Sequence, residues 1–228
     1  MAPQEKSRTE PVEIKMAKSR IGRVLEATGG VFLITACVIF RPLMRRWYSR
    51  WGATDEELVR KLPGDEYISC LRAGYTQAVG IKAAADSVWP WVVQIGQGRA
   101  GYYSYELLEN MVGCNIHNVE RVMPEHQDIK VGDGLIMHPK APVVPVAIVK
   151  PVEALVYGGK QDENTSNVWT FHLCQEQGTT RLISRWSADF KPVFLNNVIY
   201  KFLVEPIGAV MQRKMLLEIK RLAETVSG

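Results

Sequence analysis

Residues 89–110, WPWVVQIGQGRAGYYSYELLEN, contain the pattern that decides the fold of this chain. Two short stretches rich in apolar residues flank a glycine-rich middle, which is typical of two short helices joined by a tight turn. Ser104 is placed to cap the second helix over Tyr105–Met111, and Gly113 would end that helix in a left-handed conformation. We therefore predict a two-helix unit, called the clasp below, that closes over another part of the fold.

The glycine-rich middle of the clasp, Gly96–Gly101 (GQGRAG), satisfies the GxGxxG pattern of dinucleotide-binding sites. Such a site requires a strand before the glycines and a helix N-terminus directly after them, where backbone N–H groups meet the pyrophosphate. Here the glycines follow a helix, which Asp86 and Ser87 would cap and which has Pro90 in its first turn. We interpret the glycines as a turn that needs positive φ angles, and we predict no cofactor.

Outside the clasp, alternating apolar residues and turn signals predict a run of strands. The predicted strands are Tyr75–Lys82, Val143–Val149, Glu153–Tyr157, Asn167–Cys174 and Thr180–Ala188. Pro142 and Pro145 confine the second of these strands to a sheet edge or a bulge. From Asn196 the chain is predicted to be helical to its end, with a break or kink after Glu205 caused by Pro206.

The first part of the chain changes composition twice. Residues 1–20 are polar and predict a disordered tail. Residues 21–50 contain an uncharged run that, with the residues just before it, reaches the roughly 20 residues that a bilayer core requires. Aromatic residues follow this run, as in an interfacial aromatic belt. We predict a single-pass membrane anchor with a basic and aromatic flank at residues 21–50, a connector at residues 51–66 and a folded domain at residues 67–228.

Other interpretations of the apolar run stay open. A basic region before a short apolar run also fits a cleaved secretory signal. Ile34–Cys37 has the small-residue-then-cysteine form of a bacterial lipoprotein cleavage site, although apolar residues follow Cys37. The run also fits a buried helix of the folded domain. Basic residues flank the run on both sides, so the positive-inside rule does not determine on which side of the membrane the domain lies.

Charge and cysteine content narrow the classes of partner. The net charge is +4, and most of the basic excess lies in the first 50 residues, beside the apolar run. A basic end next to apolar residues indicates anionic lipid rather than nucleic acid. The four cysteines lie far apart without a CxxC motif, so they indicate neither a disulfide framework nor a metal site. His117, His126 and Asp128 also lack the spacing of metal ligands, and we predict a hydrogen-bonded loop and no metal.

Three long stretches resemble one branch of a known superfamily. WGATDEELVRKLPGDE (51–66), the clasp sequence (89–110) and IHNVERVMPEHQDIKVGD (116–133) are similar to the membrane-anchored bacterial branch of the START/polyketide-cyclase-like (SRPBCC) superfamily. The resemblance implies an α+β helix-grip fold, in which a curved antiparallel sheet surrounds a long C-terminal helix with a hydrophobic cavity between them. In the broader superfamily that cavity binds lipids, sterols, polyketides or plant hormones, and only some members catalyse a reaction.

The expected ligand contacts follow from this arrangement. Inward-facing strand residues would lie opposite methionines of the last helix, and methionine suits an adaptable apolar pocket. Hydroxyls of the clasp would lie at the cavity mouth. The predicted ligand-binding residues are Tyr103, Tyr105, Trp169, Phe171, Trp186, Met211 and Met215. The alternative is a solid core, because aromatic side chains usually pack against one another.

Three functions follow as hypotheses. The first is a membrane-tethered domain that binds a hydrophobic small molecule or lipid without chemistry. The second is a small enzyme of the cyclase or aromatase type that uses Tyr103, Glu106 or His117 as acid and base. The third is an accessory subunit of a larger membrane complex, with its apolar surfaces buried against partner proteins.

Overall fold

The computed structural model describes residues 20–163, 165–176 and 178–226. The predicted tail, residues 1–20, lies outside them except for Arg20. The helices are α1 (Arg20–Ile39), α2 (Arg41–Tyr48), α3 (Asp55–Val59), α4 (Ala85–Val93), α5 (Glu106–Met111), α6 (Phe194–Val198) and α7 (Glu205–Val226). The strands are β1 (Ala73–Ile81), β2 (Gly134–Leu135), β3 (Val144–Lys150), β4 (Ala154–Lys160), β5 (Ser166–Glu176) and β6 (Thr179–Asp189). A π-helical stretch, Ile199–Val204, joins α6 to α7.

The strands form one antiparallel sheet in the order β1-β6-β5-β4-β3-β2. All five predicted strands are present, and the short β2 is an additional strand that no sequence signal predicted. β4 does not end at its glycines: it continues through Gly158 and Gly159 to Lys160. The two glycines adopt positive φ angles of 94° and 136°. The bulge expected from the prolines near β3 lies between Val146 and Ile148.

The long helix α7 packs against one face of this sheet. Its apolar residues recur at steps of three and four, so they form a single face of the helix. Leu216 and Ile219 of that face share a buried core with Ile81 of β1, Leu173 of β5 and Leu182 of β6. The predicted α+β helix-grip architecture, a sheet around a long C-terminal helix, is therefore confirmed.

The clasp has the predicted order of helix, glycine turn and helix, but its caps differ from the prediction. Ser104 does not cap α5; Tyr105 is the N-cap residue without a side-chain bond, and the Ser104 hydroxyl donates to the carbonyl of Met211 at 3.2 Å. The serine thus ties the clasp to α7. In the turn itself, Gly96 and Gly101 have φ angles of 140° and 80°, as predicted.

The start of α4 also differs from the prediction. The helix begins at Ala85, one residue before the expected caps, and its N-cap Ala84 makes no side-chain bond. Pro90 consequently lies inside the helix rather than in its first turn. Asp86 remains in the first turn, where a negative charge interacts favourably with the helix dipole.

The expected break at Pro206 is replaced by a change of helix type. Pro206 is the second residue of α7, where the missing N–H costs little. The chain before it is π-helical from Ile199 to Val204 rather than unwound. The C-terminal region is therefore helical from α6 onward, with a π-helical stretch where the break was predicted.

The connector between α2 and β1 covers the other face of the sheet. Thr54 and Glu57 form a capping box at the start of α3. The Glu57 backbone N–H donates to the Thr54 hydroxyl oxygen at 3.2 Å, and the Thr54 backbone N–H donates to the Glu57 carboxylate at 2.8 Å. Leu62 packs on Ala78 of β1 and Ile183 of β6. Both faces of this part of the sheet are thus covered.

Helix α1 has two different faces. Residues Ile21–Ile39 are long and apolar enough to cross a membrane, with a mean hydropathy of 1.5. On one face Glu26 pairs with Lys214 of α7 at 2.7 Å. On the same face Gly30 contacts the Tyr105 ring so closely that a Cβ atom at position 30 would lie 2.8 Å from the nearest ring atom. The opposite face exposes large apolar residues, including Phe32. The helix therefore contacts the domain and also carries an uncovered apolar face.

Candidate functional site

A cavity of about 180 Å³ lies between the sheet and α7. Most of its lining is aromatic, aliphatic or thioether. The lining residues are Tyr75, Tyr102, Ser104, Met137, Trp169, Trp186, Val204, Gly208, Met211, Gln212 and Met215. Val204 and Met137 are partly exposed to solvent and therefore mark the rim of the cavity.

The sheet contributes three aromatic residues that lie side by side. Strand register places Tyr75 of β1 opposite Trp186 of β6, and Trp186 opposite Trp169 of β5. The Tyr75 and Trp186 rings stack with their centroids 5.3 Å apart. Both tryptophans are only half-buried, whereas Phe171, two residues along β5, is fully buried. The aromatic row thus has incomplete packing on the side that faces the cavity.

Helix α7 contributes the opposite wall through a stripe of residues at steps of three and four: Gly208, Met211, Gln212 and Met215. Gly208 is required by close approach, because a Cβ atom there would lie 2.6 Å from the Tyr75 hydroxyl oxygen. The glycine therefore lets the end of the Tyr75 side chain lie directly over the helix.

Gln212 belongs to a buried hydrogen-bond network that is internally satisfied. Its amide oxygen accepts from Trp169 Nε1 at 2.8 Å and from the Ser184 hydroxyl at 2.9 Å. Its amide nitrogen donates to the Ser184 carbonyl at 3.1 Å and to Gln77 Oε1 at 3.3 Å. Both donors and both acceptor positions of the amide are used. Gln212 consequently positions Trp169 and α7 and has no bond left for a ligand.

Two side-chain polar groups on the wall are uncommitted. The Tyr75 hydroxyl and the Trp186 indole N–H make no hydrogen bond within the described part of the chain, whereas the Tyr102 hydroxyl donates to the Ile136 carbonyl at 2.6 Å. Burial, with a smaller contribution from the charge of Glu205, raises the pKa of Tyr75. The Tyr75 hydroxyl is therefore protonated at neutral pH and available as a donor.

The structure brings four of the seven predicted ligand-binding residues to this cavity: Trp169, Trp186, Met211 and Met215. The other three lie elsewhere. Phe171 packs behind Trp169 with the ring centroids 4.8 Å apart. Tyr103 is buried in the clasp, where its hydroxyl accepts from Gln94 Nε2 at 2.6 Å, and Tyr105 packs against α1.

Several lining residues were not predicted, although a signal for part of them is present. The α7 wall residues 208, 211, 212 and 215 follow the helical repeat, but Gln212 is polar and the sequence alone placed it mostly off the apolar face. Tyr75 stood at the start of a predicted strand without an assigned role. No sequence pattern points to Met137 or Val204, because they come from a loop and from the π-helical stretch.

The residues of the enzyme hypothesis meet in a different place. Tyr103, Glu106 and His117 line a cleft of about 380 Å³ between α1, α5 and α7. Glu106 lies 3.7 Å from His117 Nδ1 and 3.6 Å from Arg23, and its second oxygen accepts from the backbone N–H of Asn118. The His117 side chain is 74% exposed. The Glu106 carboxylate and the exposed His117 imidazole thus lie in this cleft and do not line the apolar cavity.

No group of three or more histidine, cysteine or acidic side chains in the described ranges is placed to hold a metal ion. Arg99 of the clasp donates hydrogen bonds to the backbone carbonyls of Val93 and His126 at 2.9 and 2.8 Å. These bonds tie the glycine turn to the loop that follows α5.

Neither a family model nor a curated protein sequence matches the chain. Solved structures with a similar fold include a protein from Mesorhizobium loti, 20% identical, which covers 66% of this chain and 97% of its own at a TM-score of 0.38. A polyketide cyclase-like protein from Corynebacterium glutamicum is 15% identical, with 70% and 95% covered and a TM-score of 0.35. The di-domain ARO/CYC protein StfQ of the steffimycin biosynthetic pathway is 11% identical, with 68% and 52% covered and a TM-score of 0.40.

At these identities the likeness concerns the fold alone. The chain is a helix-grip protein by its own sheet order and C-terminal helix. The similar structures include a polyketide cyclase-like protein and an ARO/CYC protein.

Proposed function

We propose that this protein binds a hydrophobic small molecule, or part of a lipid, in the cavity between the sheet and α7 while α1 anchors it to a membrane. One observation carries the ligand-binding proposal: the cavity has an apolar lining in which most hydrogen-bonding side chains already have partners, whereas the Tyr75 hydroxyl and the Trp186 indole N–H have none among the described residues. A site of this kind favours an apolar ligand with one or two polar groups.

The size of the cavity limits the ligand. An engineered cavity of about 150 Å³ holds benzene, whereas sites for drug-sized ligands measure roughly 300–1,000 Å³. The observed 180 Å³ therefore suits a one- or two-ring compound or the end of an acyl chain. A larger ligand requires the rim to move, and the π-helical stretch that ends at Val204 is the part of the rim with the weaker helical geometry.

The anchoring part of the proposal rests on α1. Its length and hydropathy suit a bilayer, and its outer face exposes Ile21, Leu25, Phe32 and Ile39 to solvent. Exposure of such a stripe to water is unfavourable by about 25 cal/mol for each Å² of apolar surface. Contact with lipid removes this cost and holds the cavity near a source of hydrophobic molecules.

Binding of 2-naphthol, a two-ring compound with one hydroxyl, tests the ligand proposal through quenching of tryptophan fluorescence. We expect saturable quenching in the full-length chain and its loss in Gly208→Val, whose side chain would enter the cavity against Tyr75. Gly29→Val is the matched control, because it is also a helical glycine and has no atom within 4 Å of its added Cβ. Equal binding by both variants, with both folded by circular dichroism, would overturn the proposal.

A further inference from the structure

Residues 193–204, VFLNNVIYKFLV, expose an unusual number of large apolar side chains for a segment beside a cavity. Phe194 is 85% and Leu195 63% exposed, and Phe202, Leu203 and Val204 are each more than a third exposed. Isolated surface leucines need no explanation, but a contiguous apolar patch marks an interaction site. We call residues 193–204 the apolar segment.

The apolar segment is held firmly on the body of the domain. The Tyr200 ring stacks on Phe190 with centroids 4.2 Å apart and on Trp186 at 6.4 Å. Tyr200 therefore packs inward while the phenylalanines and leucines remain exposed. The exposure is thus a property of the folded surface.

The apolar segment contacts Arg41, the first residue of α2, which directly follows the end of α1. The Arg41 side chain donates from Nε to the carbonyl of Lys201 at 2.8 Å, and its guanidinium lies 5.0 Å from the centre of the Phe202 ring. Next to Arg41 along the chain, Phe40 and Leu43 are exposed. The apolar surface of the candidate membrane helix therefore continues onto the apolar segment.

Basic residues border this surface. Arg41 and Arg45 both pair with the fully buried Glu205, at 3.2 and 2.9 Å, so two positive charges oppose one negative charge. Arg46 is exposed on the same helix. Apolar side chains bordered by arginines complement the interface of a membrane that contains anionic lipids, because the negative surface potential of such a membrane attracts basic residues.

We propose that the apolar segment is a second membrane-contact site, which inserts into the lipid interface beside α1. The occupant is a bilayer with anionic lipids. Val204 belongs both to the apolar segment and to the cavity rim, so insertion places the rim against lipid and lets a hydrophobic ligand enter without crossing water. The position beside α1 rests on the proposed membrane anchor, and ligand entry rests on the proposed ligand-binding function.

Site-directed spin labelling of the full-length chain in vesicles tests the insertion. Cysteines are placed at Phe194→Cys and Leu195→Cys in a background in which Cys70, Cys114 and Cys174 are replaced by serine. Val59→Cys and Val131→Cys are the matched controls, because Val59 and Val131 are 85% and 65% exposed and lie on α3 and on the loop before β2, outside the apolar segment. Vesicles contain phosphatidylcholine alone or with phosphatidylserine.

We expect collisions with oxygen to increase and collisions with a water-soluble nickel complex to decrease at positions 194 and 195 relative to 59 and 131. The shift should be larger with phosphatidylserine. Equal nickel accessibility at all four positions would overturn the proposal. A decrease in collisions with both oxygen and the nickel complex at 194 and 195 would also overturn it, because a protein partner excludes both reagents whereas lipid dissolves oxygen. Neither outcome depends on the naphthol assay, so failure of one proposal is distinguishable from failure of the other.

Discussion

Tyr75 provides the most specific test of the ligand-binding proposal. Its hydroxyl has no partner among the described residues, so Tyr75→Phe should leave the free energy of unfolding nearly unchanged. Loss of one hydrogen bond to the ligand corresponds to about 1 kcal/mol, or roughly a fivefold loss of affinity. Titration of 2-naphthol, which has a hydroxyl, against naphthalene, which has none, measures this: only naphthol binding should weaken.

Tyr102→Phe is the matched control for this experiment. The Tyr102 hydroxyl also faces the cavity but donates to the Ile136 carbonyl at 2.6 Å. Removing it should lower the free energy of unfolding by about 1 kcal/mol and leave the preference for naphthol intact. The reverse pattern, with Tyr102 deciding affinity, would contradict the assignment of Tyr75.

Glu109 should make stability depend on pH. Burial, with a smaller contribution from Glu106, raises its pKa from 4.5 to about 7, and one of its carboxylate oxygens has no partner among the described residues. Because the pKa of Glu109 is higher in the folded than in the unfolded chain, protonation of Glu109 stabilises the folded state. This stabilisation is fully present below pH 4.5. It is lost as the pH rises through 7, by up to about 3 kcal/mol.

Urea unfolding from pH 4.5 to 8.5 measures this dependence. Glu109→Gln should remove most of the decline and be the more stable protein at pH 8.5, since the neutral amide needs no ionisation in a buried place. Parallel curves for the variant and the original chain would show that another group is responsible.

At the scale of elements, the contact between α7 and the sheet depends on the amide of Gln212. Gln212→Met keeps the approximate volume but removes the buried acceptor of the Ser184 hydroxyl and one of the two acceptors of Trp169 Nε1, which also donates to the Ser184 oxygen. An unsatisfied buried polar group costs about 1–3 kcal/mol, so we expect a loss of about 1–3 kcal/mol in chemical denaturation. Gln161→Met, at an exposed position, is the control and should change little.

The contact between α2 and α7 depends on Glu205. Its carboxylate is fully buried between Arg41 and Arg45, and breaking such a pair on one side costs about 3–5 kcal/mol. Glu205→Gln should therefore destabilise the domain and increase amide hydrogen exchange in α2 and in residues 199–204 before the sheet is affected. Uniform exchange across the chain would contradict a local role.

Elements were predictable where the pattern is local. The alternation in β5 and β6 and the three- and four-residue repeat of α7 are properties of short windows, and these elements appear close to their predicted bounds. The caps at Ser104 and at Asp86–Ser87 were wrong, because the Ser104 hydroxyl bonds to a distant carbonyl and α4 begins one residue earlier. A tertiary contact decided the case of Ser104.

At the scale of the whole molecule, the cavity could be predicted only in part. Trp169 and Phe171 point to the same face of β5, yet Phe171 is fully buried and Trp169 borders empty space. This difference depends on the residues that α7 and the π-helical stretch place opposite them, including Gly208 and Val204. Packing across the domain determines which residues lie opposite a strand, so the alternation within one strand does not predict them.

The proposed membrane-contact surface could also be predicted only in part. Sequence hydropathy pointed to the run at residues 21–50, but it did not single out residues 193–204, whose apolar side chains read as the start of a core helix. In the folded chain, Arg41 joins the two regions and Tyr200 orients the apolar segment. The proposed membrane contact is therefore made by a face of the assembled fold rather than by one helix.

Native mass spectrometry of the full-length chain, purified in mild detergent, tests the central claim most directly. We predict one tightly held small hydrophobic molecule per chain, released on unfolding, and its absence from the Gly208→Val variant but not from Gly29→Val. A chain that is ligand-free when purified and that takes up no hydrophobic molecule from a lipid extract would contradict a binding function for the cavity.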